Sequence, residues 1–262
     1  MAIPKKVIDR IALQLKKYQA ILTDAKDRDI SESDTVVIIG DMLADLFGYK
    51  KYLEITTEFS IRGTYVDLAV KVGSDVRFLI VAKAIGVDLK DSHVKQAIDY
   101  GANHGIEWVI LTNGIVWYVY KIYFKQPIEK VIIFEINLLQ TTAKNQHLLE
   151  CFCTLSREGF TQSSMTAFSQ RQQATNKFSL AALLTGDAIL AALRKELKKI
   201  GAGNKADVAF LKSVIQNEVL KREVVDSEEA KSAAEFIKKA GKAAAKPKPK
   251  PKSPSQIAPS AP

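Results

Sequence analysis

Four residues invite a chemical reading: Asp67, Lys83, Gln96 and Tyr100. Asp67 stands inside the apolar run Tyr65-Val66-Asp67-Leu68-Ala69-Val70. A carboxylate is expensive to bury in such a strand, so it calls for a partner or a metal ion. Lys83 closes the next run, Phe78-Leu79-Ile80-Val81-Ala82-Lys83. The break Gly73-Ser74-Asp75 makes the two runs neighbouring strands, which brings the acid and the amine close together. A plain ion pair at a sheet end would satisfy both. A metal ion on Asp67 with Lys83 beside it is the chemical alternative. Gln96 and Tyr100 are four residues apart and share one helix face. Taken alone, they are ordinary packing and polar positions.

Other acids could join them. Glu58 lies on the first strand and could face Asp67 across the hairpin; a solvated strand position is the plain reading. Glu32 and Asp34 open the second helix, where capping is the plain role. His93, just before Gln96, reads as a surface residue. Cys151 and Cys153 are one residue apart, a spacing that suits neither a disulfide nor a zinc site.

The elements that must position these groups are legible in the pattern. Residues 4–27 read as an amphipathic helix, with Val7, Ile8, Ile11, Leu15, Tyr18 and Leu22 at helical spacing and Pro4 in the first turn. A second helix opens at Ser31 and stops at Gly48. Residues 52–60, 64–72 and 76–84 are rich in β-branched and aromatic residues and form an antiparallel meander, broken at Arg62-Gly63 and Gly73-Ser74-Asp75. A helix over about 90–104 follows, then the wholly apolar strand Trp108-Val109-Ile110-Leu111, expected to be buried on both faces. Thr112-Asn113-Gly114 is a turn, and strands over 115–123 and 130–136 complete the sheet. This order implies an α/β (α+β) fold with a central sheet flanked by helices. Beyond Asn137 the chain reads as helical, over 143–157, 186–200, 204–222 and 226–241.

The net charge of +9 points first to nucleic acid. Its distribution does not. Residues 1–150 carry 19 basic and 19 acidic side chains, whereas residues 238–262 carry seven lysines and no acid. The basic character therefore sits mainly in a tail of Lys-Pro repeats, expected to be extended and disordered. No apolar stretch is long enough for a membrane span, and Met1–Arg10 lacks the apolar core of a signal peptide. The expected location is cytoplasmic. No Gly-x-x-x-x-Gly-Lys-Ser/Thr run occurs, so no ATP-driven motor is expected.

A resemblance joins these pieces. Lys83-Ala84, Gly86-Val87-Asp88-Leu89, Gln96-Ala97-Ile98-Asp99-Tyr100, Glu107-Trp108-Val109-Ile110-Leu111-Thr112-Asn113-Gly114 and Trp117-Tyr118 follow one another at matching spacing. Over roughly residues 30–136 the chain resembles the N-terminal domain of type I restriction enzyme R subunits and its stand-alone relatives, within the PD-(D/E)xK nucleases. The resemblance implies a restriction-endonuclease-like core over 1–137, a mixed sheet flanked by helices. A helix over 138–158, a polar linker over 159–178, a helical accessory segment over 179–241 and a Lys/Pro-rich tail over 242–262 are expected to follow.

In that family an Asp from the second strand and the Glu of Glu-x-Lys hold Mg²⁺, and the Lys assists the attacking water or the developing charge. The Gln-x-x-x-Tyr helix packs against the site. The resemblance thus implies Asp67, Lys83, Gln96 and Tyr100 as the catalytic set. The sequence departs from the pattern at the decisive position: two residues before Lys83 stands Val81, not Glu. Mg²⁺ takes oxygen ligands, usually one or two carboxylates, so the expectation is a DNA-associated protein whose phosphodiester hydrolysis is lost or impaired. Two alternatives stay open. One is an active Mg²⁺-dependent endonuclease with Glu58 as the relocated metal ligand beside Asp67. The other is an adaptor whose C-terminal helices bind a protein partner or a second copy.

Overall fold

A computed structural model describes residues 3–61, 64–124, 126–161, 164–201 and 207–244. The chain divides into two compact units, Met1–Ser169 and Gln170–Pro262.

The first unit opens with α1 (Lys5–Asp27), whose Val7, Ile11, Leu15, Tyr18, Leu22 and Ala25 are buried at three- and four-residue intervals. α2 (Glu32–Asp45) is capped by Ser31, whose Oγ accepts the Asp34 N–H at 3.2 Å. After the short α3 (Lys51–Glu54) come β1 (Ile55–Ile61), β2 (Thr64–Val72) and β3 (Asp75–Ala82). Then follow α4 (Asp91–His104), β4 (Trp108–Thr112), β5 (Val116–Tyr123) and β6 (Glu129–Asn137).

The six strands lie side by side in sequence order. All neighbours are antiparallel except β3 and β4, which are parallel. A parallel pair needs a crossover, and α4 supplies it. β4 is buried at every residue, as a central strand covered on both faces must be. On one face Leu68, Val70, Phe78, Ile80 and Ile110 pack beneath α1 and α2; on the other Ala69, Leu79, Val81, Val109 and Leu111 pack beneath α4. The result is a three-layer helix–sheet–helix core.

The structure differs from the sequence pattern in two places in this unit. Residues 52–54 are not the start of a strand but belong to α3. There the buried Glu54 carboxylate accepts the Lys50 N–H at 2.9 Å and pairs with Arg157 at 2.8 Å. Residues 159–178, expected as a polar linker, carry helices: α5 (Gln146–Leu155) is followed by α6 (Arg157–Thr161) and α7 (Ser164–Thr175). Met165 and Phe168 are buried in the core, with Phe160 partly so, and these apolar anchors outweigh the polar composition around them. The Arg62-Gly63 break lies outside the described residues.

The second unit contains α8 (Lys177–Leu184), α9 (Asp187–Lys199) and α10 (Val208–Val214). A π-helical turn over Ile215–Val219, α11 (Arg222–Val225) and α12 (Glu228–Ala244) complete it. The expected helix over 204–222 is thus interrupted, and of the expected tail only 242–244 are described, as the end of α12. Among the described residues, no helix is long and apolar enough to cross a membrane.

Candidate functional site

Strand pairing places Asp67 directly. The β2–β3 ladder reads Val70↔Phe78, Ala69↔Leu79, Leu68↔Ile80, so the next residues, Asp67 and Val81, stand across from each other. Val81 lies on the α4 side of the sheet with Leu79, but Val66 and Ala69 share that side while Leu68 faces the other, so the alternation of β2 breaks at Asp67. Asp67 is half-buried, and its Oδ2 accepts the Ala82 N–H at 2.8 Å. That bond satisfies β3 where its ladder with β2 ends. Burial raises the Asp67 carboxyl above its ordinary value, while the Ala82 N–H and the Lys83 charge oppose the shift and Glu32 adds to it.

Lys83 lies one residue beyond β3. Its N–H continues the parallel pairing by donating to the Thr112 carbonyl at 2.9 Å. Strand alternation would send its side chain to the α4 side with Val81. Past the strand end that constraint lapses, and the amine donates to Glu32 Oε2 at 3.0 Å. Glu32 opens α2, the helix on the opposite layer. Among the described residues no ion pair joins Lys83 to Asp67; the two interact only through space. The Lys83–Glu32 pair is partly exposed, with side chains 24% and 46% accessible, and is worth only about 0–1 kcal/mol.

The loop after Lys83 is fixed by Asn113. Its Nδ2 donates to the Ile85 and Val87 carbonyls at 3.3 and 3.1 Å, and its Oδ1 accepts the Ile115 and Val116 N–H groups at 3.1 and 2.8 Å. All four bonds hold one nearly buried amide. The residue legible in sequence as a turn former is therefore also the clamp on the chain that carries Lys83.

Glu58 stands opposite Asp67, between the pairs Thr57↔Leu68 and Phe59↔Val66. Its backbone is left-handed, φ 47°, and it is exposed. A non-glycine residue in this conformation stores strain of about 1–3 kcal/mol. The charges that bear on Asp67 include Lys83 and Glu32, not Glu58. Asp34 serves the α2 cap, accepting a hydrogen bond from Ser31 Oγ at 2.8 Å. His93 Nδ1 accepts the Lys90 N–H at 3.2 Å at the start of α4.

The structure does not bring the whole expected set together. α4 runs back along the sheet from the end near Lys83 toward the start of β4. Tyr100 lies nine residues into it, about 13 Å of helix from Asp91. Its ring stacks on His104 at 4.5 Å, and its buried hydroxyl has no hydrogen-bond partner among the described residues. No hydrogen bond connects it to Asp67 or Lys83 among the described residues. Gln96 contributes its backbone to α4, while its side chain lies outside the described residues.

These donors do not suit Mg²⁺, which requires several oxygen ligands in near-octahedral array. Asp67 has one oxygen on a backbone N–H, Glu32 holds the lysine, and an aliphatic side chain faces Asp67. Among the described residues no three His, Cys, Asp or Glu side chains are grouped to hold a metal ion.

The Ala82 contact yields a direct expectation. Asp67→Asn keeps an acceptor and removes a charge that burial disfavours, so unfolding free energy in urea should change by less than about 1 kcal/mol. Asp67→Ala orphans the Ala82 N–H and should destabilise by about 1–3 kcal/mol. Because burial raises the Asp67 carboxyl, its ionised form opposes folding at neutral pH. The unfavourable contribution vanishes as pH falls below the ordinary carboxylate range, and Asp67→Asn should abolish that pH dependence.

Compared with family models, with curated proteins and with solved structures, the chain matches none.

Proposed function

We propose that this protein is a non-cleaving relative of the type I restriction R-subunit N-terminal nuclease domain, one that associates with DNA without hydrolysing it. One observation carries the reading. At the sheet end where an acid on the second strand and a lysine after the third converge, Val81 stands opposite Asp67, and Lys83 is paired with Glu32. The three-layer core, the parallel β3–β4 pair and the α4 crossover support the restriction-endonuclease-like fold behind this reading. Contact with DNA is attributed to charge, concentrated in the C-terminal lysines rather than in the electroneutral first 150 residues.

The test is incubation of the purified full chain with supercoiled plasmid in millimolar Mg²⁺ or Mn²⁺. No nicking is expected, together with DNA binding that weakens steeply as salt rises. Metal-dependent nicking that disappears in Asp67→Ala would overturn the reading.

A second reading is an active Mg²⁺-dependent endonuclease with a relocated carboxylate. Glu32, beside Lys83 and felt by Asp67, supports it. So does the strained Glu58 opposite Asp67, since such strain concentrates at functional sites. Under it, Glu32→Gln or Glu58→Gln removes Mn²⁺ binding seen by isothermal titration.

A further inference from the structure

The C-terminal unit sets like charges side by side on one helix. Arg194, Lys195 and Lys198 of α9 are exposed and fall within an arc of about 100° around the helix. The positions three and four residues from each hold Leu, Ala, Gly or another cation, never an acid. Among the described residues none of the three takes part in an ion pair. Other cations of the unit are matched: Lys231 with Glu228 at 2.6 Å, Lys199 with Glu196 at 2.7 Å, Lys177 with Glu223 at 3.0 Å. Glu196 lies about 100° beyond Lys195, outside the arc. Asp187 shares the arc but stands about 10 Å of helix before Arg194, a separation at which exposed charges are largely screened by physiological salt.

Helix energetics do not account for this cluster. Lys198 and Lys199 occupy the last turn, where cations complement the helix dipole. Arg194 and Lys195 stand a turn earlier, where that effect has faded, and like charges at i, i+3 and i, i+4 destabilise a helix. An anion bound across the arc would relieve that repulsion.

The composition of the arc defines which anion fits. Besides the cations and Asp187 it holds only Ala191, so it offers charge without an apolar anchor. A protein interface needs an apolar core, and a membrane-surface helix inserts apolar side chains beside its lysines. The exposed apolar side chains here, Ile189, Leu193 and Ile200, lie about 150–170° away around the helix, so a surface that meets the cations does not meet them. A nucleic-acid backbone needs only the cations, and a guanidinium such as that of Arg194 can hold one phosphate through two hydrogen bonds.

We propose that the Arg194, Lys195 and Lys198 face of α9 binds the phosphate backbone of duplex DNA. This rests on the DNA association proposed above and adds to the lysine tail a second contact, on a folded element.

The test is duplex binding by fluorescence anisotropy between about 50 and 200 mM salt, with the full chain throughout. The α9 variant combines Arg194→Gln, Lys195→Gln and Lys198→Gln. The tail variant changes Lys246, Lys248, Lys250 and Lys252 to Gln. A charge-matched control combines Lys177→Gln, Lys231→Gln and Lys239→Gln, three exposed cations that already have acid partners. Each neutralised phosphate contributes about 0.9 to the slope of log affinity against log salt, so the α9 variant should lower the slope by about 2.7. Its circular dichroism should be unchanged, since Gln is nearly as good a helix former as Lys or Arg. Arg194→Lys, which keeps the charge, and the control should both keep the parent's slope. The α9 loss should persist when made in the tail variant. An unchanged slope in the α9 variant, with binding lost in the tail variant, would overturn the inference and leave the DNA reading standing on the tail alone. An equal loss in the control would overturn it too, as an effect of net charge. So would binding of phosphatidylglycerol vesicles through these three residues with DNA affinity unaffected by their loss. A parent chain that binds no duplex at all would overturn both the inference and the reading beneath it.

Discussion

Val81→Glu should give the protein a divalent-metal site. The substituted carboxylate would stand one position past the last β2–β3 pair, Leu68↔Ile80, level with Asp67. Residue 81 lies on the α4 side, two residues from Lys83. Without metal the variant should be less stable than the parent, because a second acid is placed beside a half-buried one whose ionisation is already disfavoured. With metal the order reverses. A ligand at 100 times its Kd stabilises the folded state by about 2.7 kcal/mol, and each kcal/mol moves Tm by about 2–4 °C in a unit of this size. Saturating Mg²⁺ should therefore raise the Tm of Val81→Glu by about 5–10 °C and leave the parent unmoved. The Lys83–Glu32 pair is too weak to prevent this, being partly exposed. Metal-dependent nicking of plasmid is expected to accompany the shift. A variant that folds yet neither gains stability with Mg²⁺ nor cuts would mean that Val81 is not the missing determinant.

The second large effect is on stability. Arg10 of α1 donates from Nε to the Leu46 carbonyl at 3.1 Å and from Nη2 to the Phe47 carbonyl at 3.3 Å. The same guanidinium grips both oxygens of Glu158 at 2.9 Å. It therefore ties α1, the end of α2 and α6 together. Gly48 makes room for it: φ is 82°, and an added Cβ would meet the guanidinium at 2.6 Å. Arg10→Ala removes the Leu46 carbonyl's guanidinium donor and leaves Glu158 only the more distant, exposed Lys6 at 3.8 Å, and should cost about 3 kcal/mol in urea unfolding. Gly48→Ala should act in the same direction, combining backbone strain with displacement of Arg10.

The Arg10 hydrogen bonds hold the Glu158 carboxyl at about 2, below its ordinary 4.5. A depressed carboxylate contributes stability above the unfolded value and loses it as pH falls through the folded one. The contribution should therefore be present above pH 4.5 and disappear toward pH 2. In Glu158→Gln that part of the acid dependence should be missing, as read from urea midpoints across this range.

Local pattern was enough for much of the fold. The α1 stripe, the Ser31 cap, the β1–β3 meander and the wholly apolar β4 are each dictated by residues near in sequence, and each lies within a few residues of its expected place. Distant partners were not legible. Nothing near Arg10 announces Glu158, and nothing near Glu54 announces Arg157, so α6 and α7 could not be told from a linker by composition. The candidate site divides the same way. The hairpin break made β2 and β3 neighbours and put Lys83 at the strand end. Glu32 reads locally as a capping residue, yet Asp34 takes that role and Glu32 reaches a lysine 51 residues away. Tyr100 shares a helix with Gln96, but helical rise alone carries it away from the sheet end.

The most direct test of the account is a Mn²⁺ titration of the unaltered full chain, followed by electron paramagnetic resonance and calorimetry beside Asp67→Asn. The account predicts no saturable site, and indistinguishable curves for the two proteins. A single saturable Mn²⁺ site in the parent that disappears in Asp67→Asn would contradict it, because the sheet end would then hold the cation that Val81 is argued to exclude.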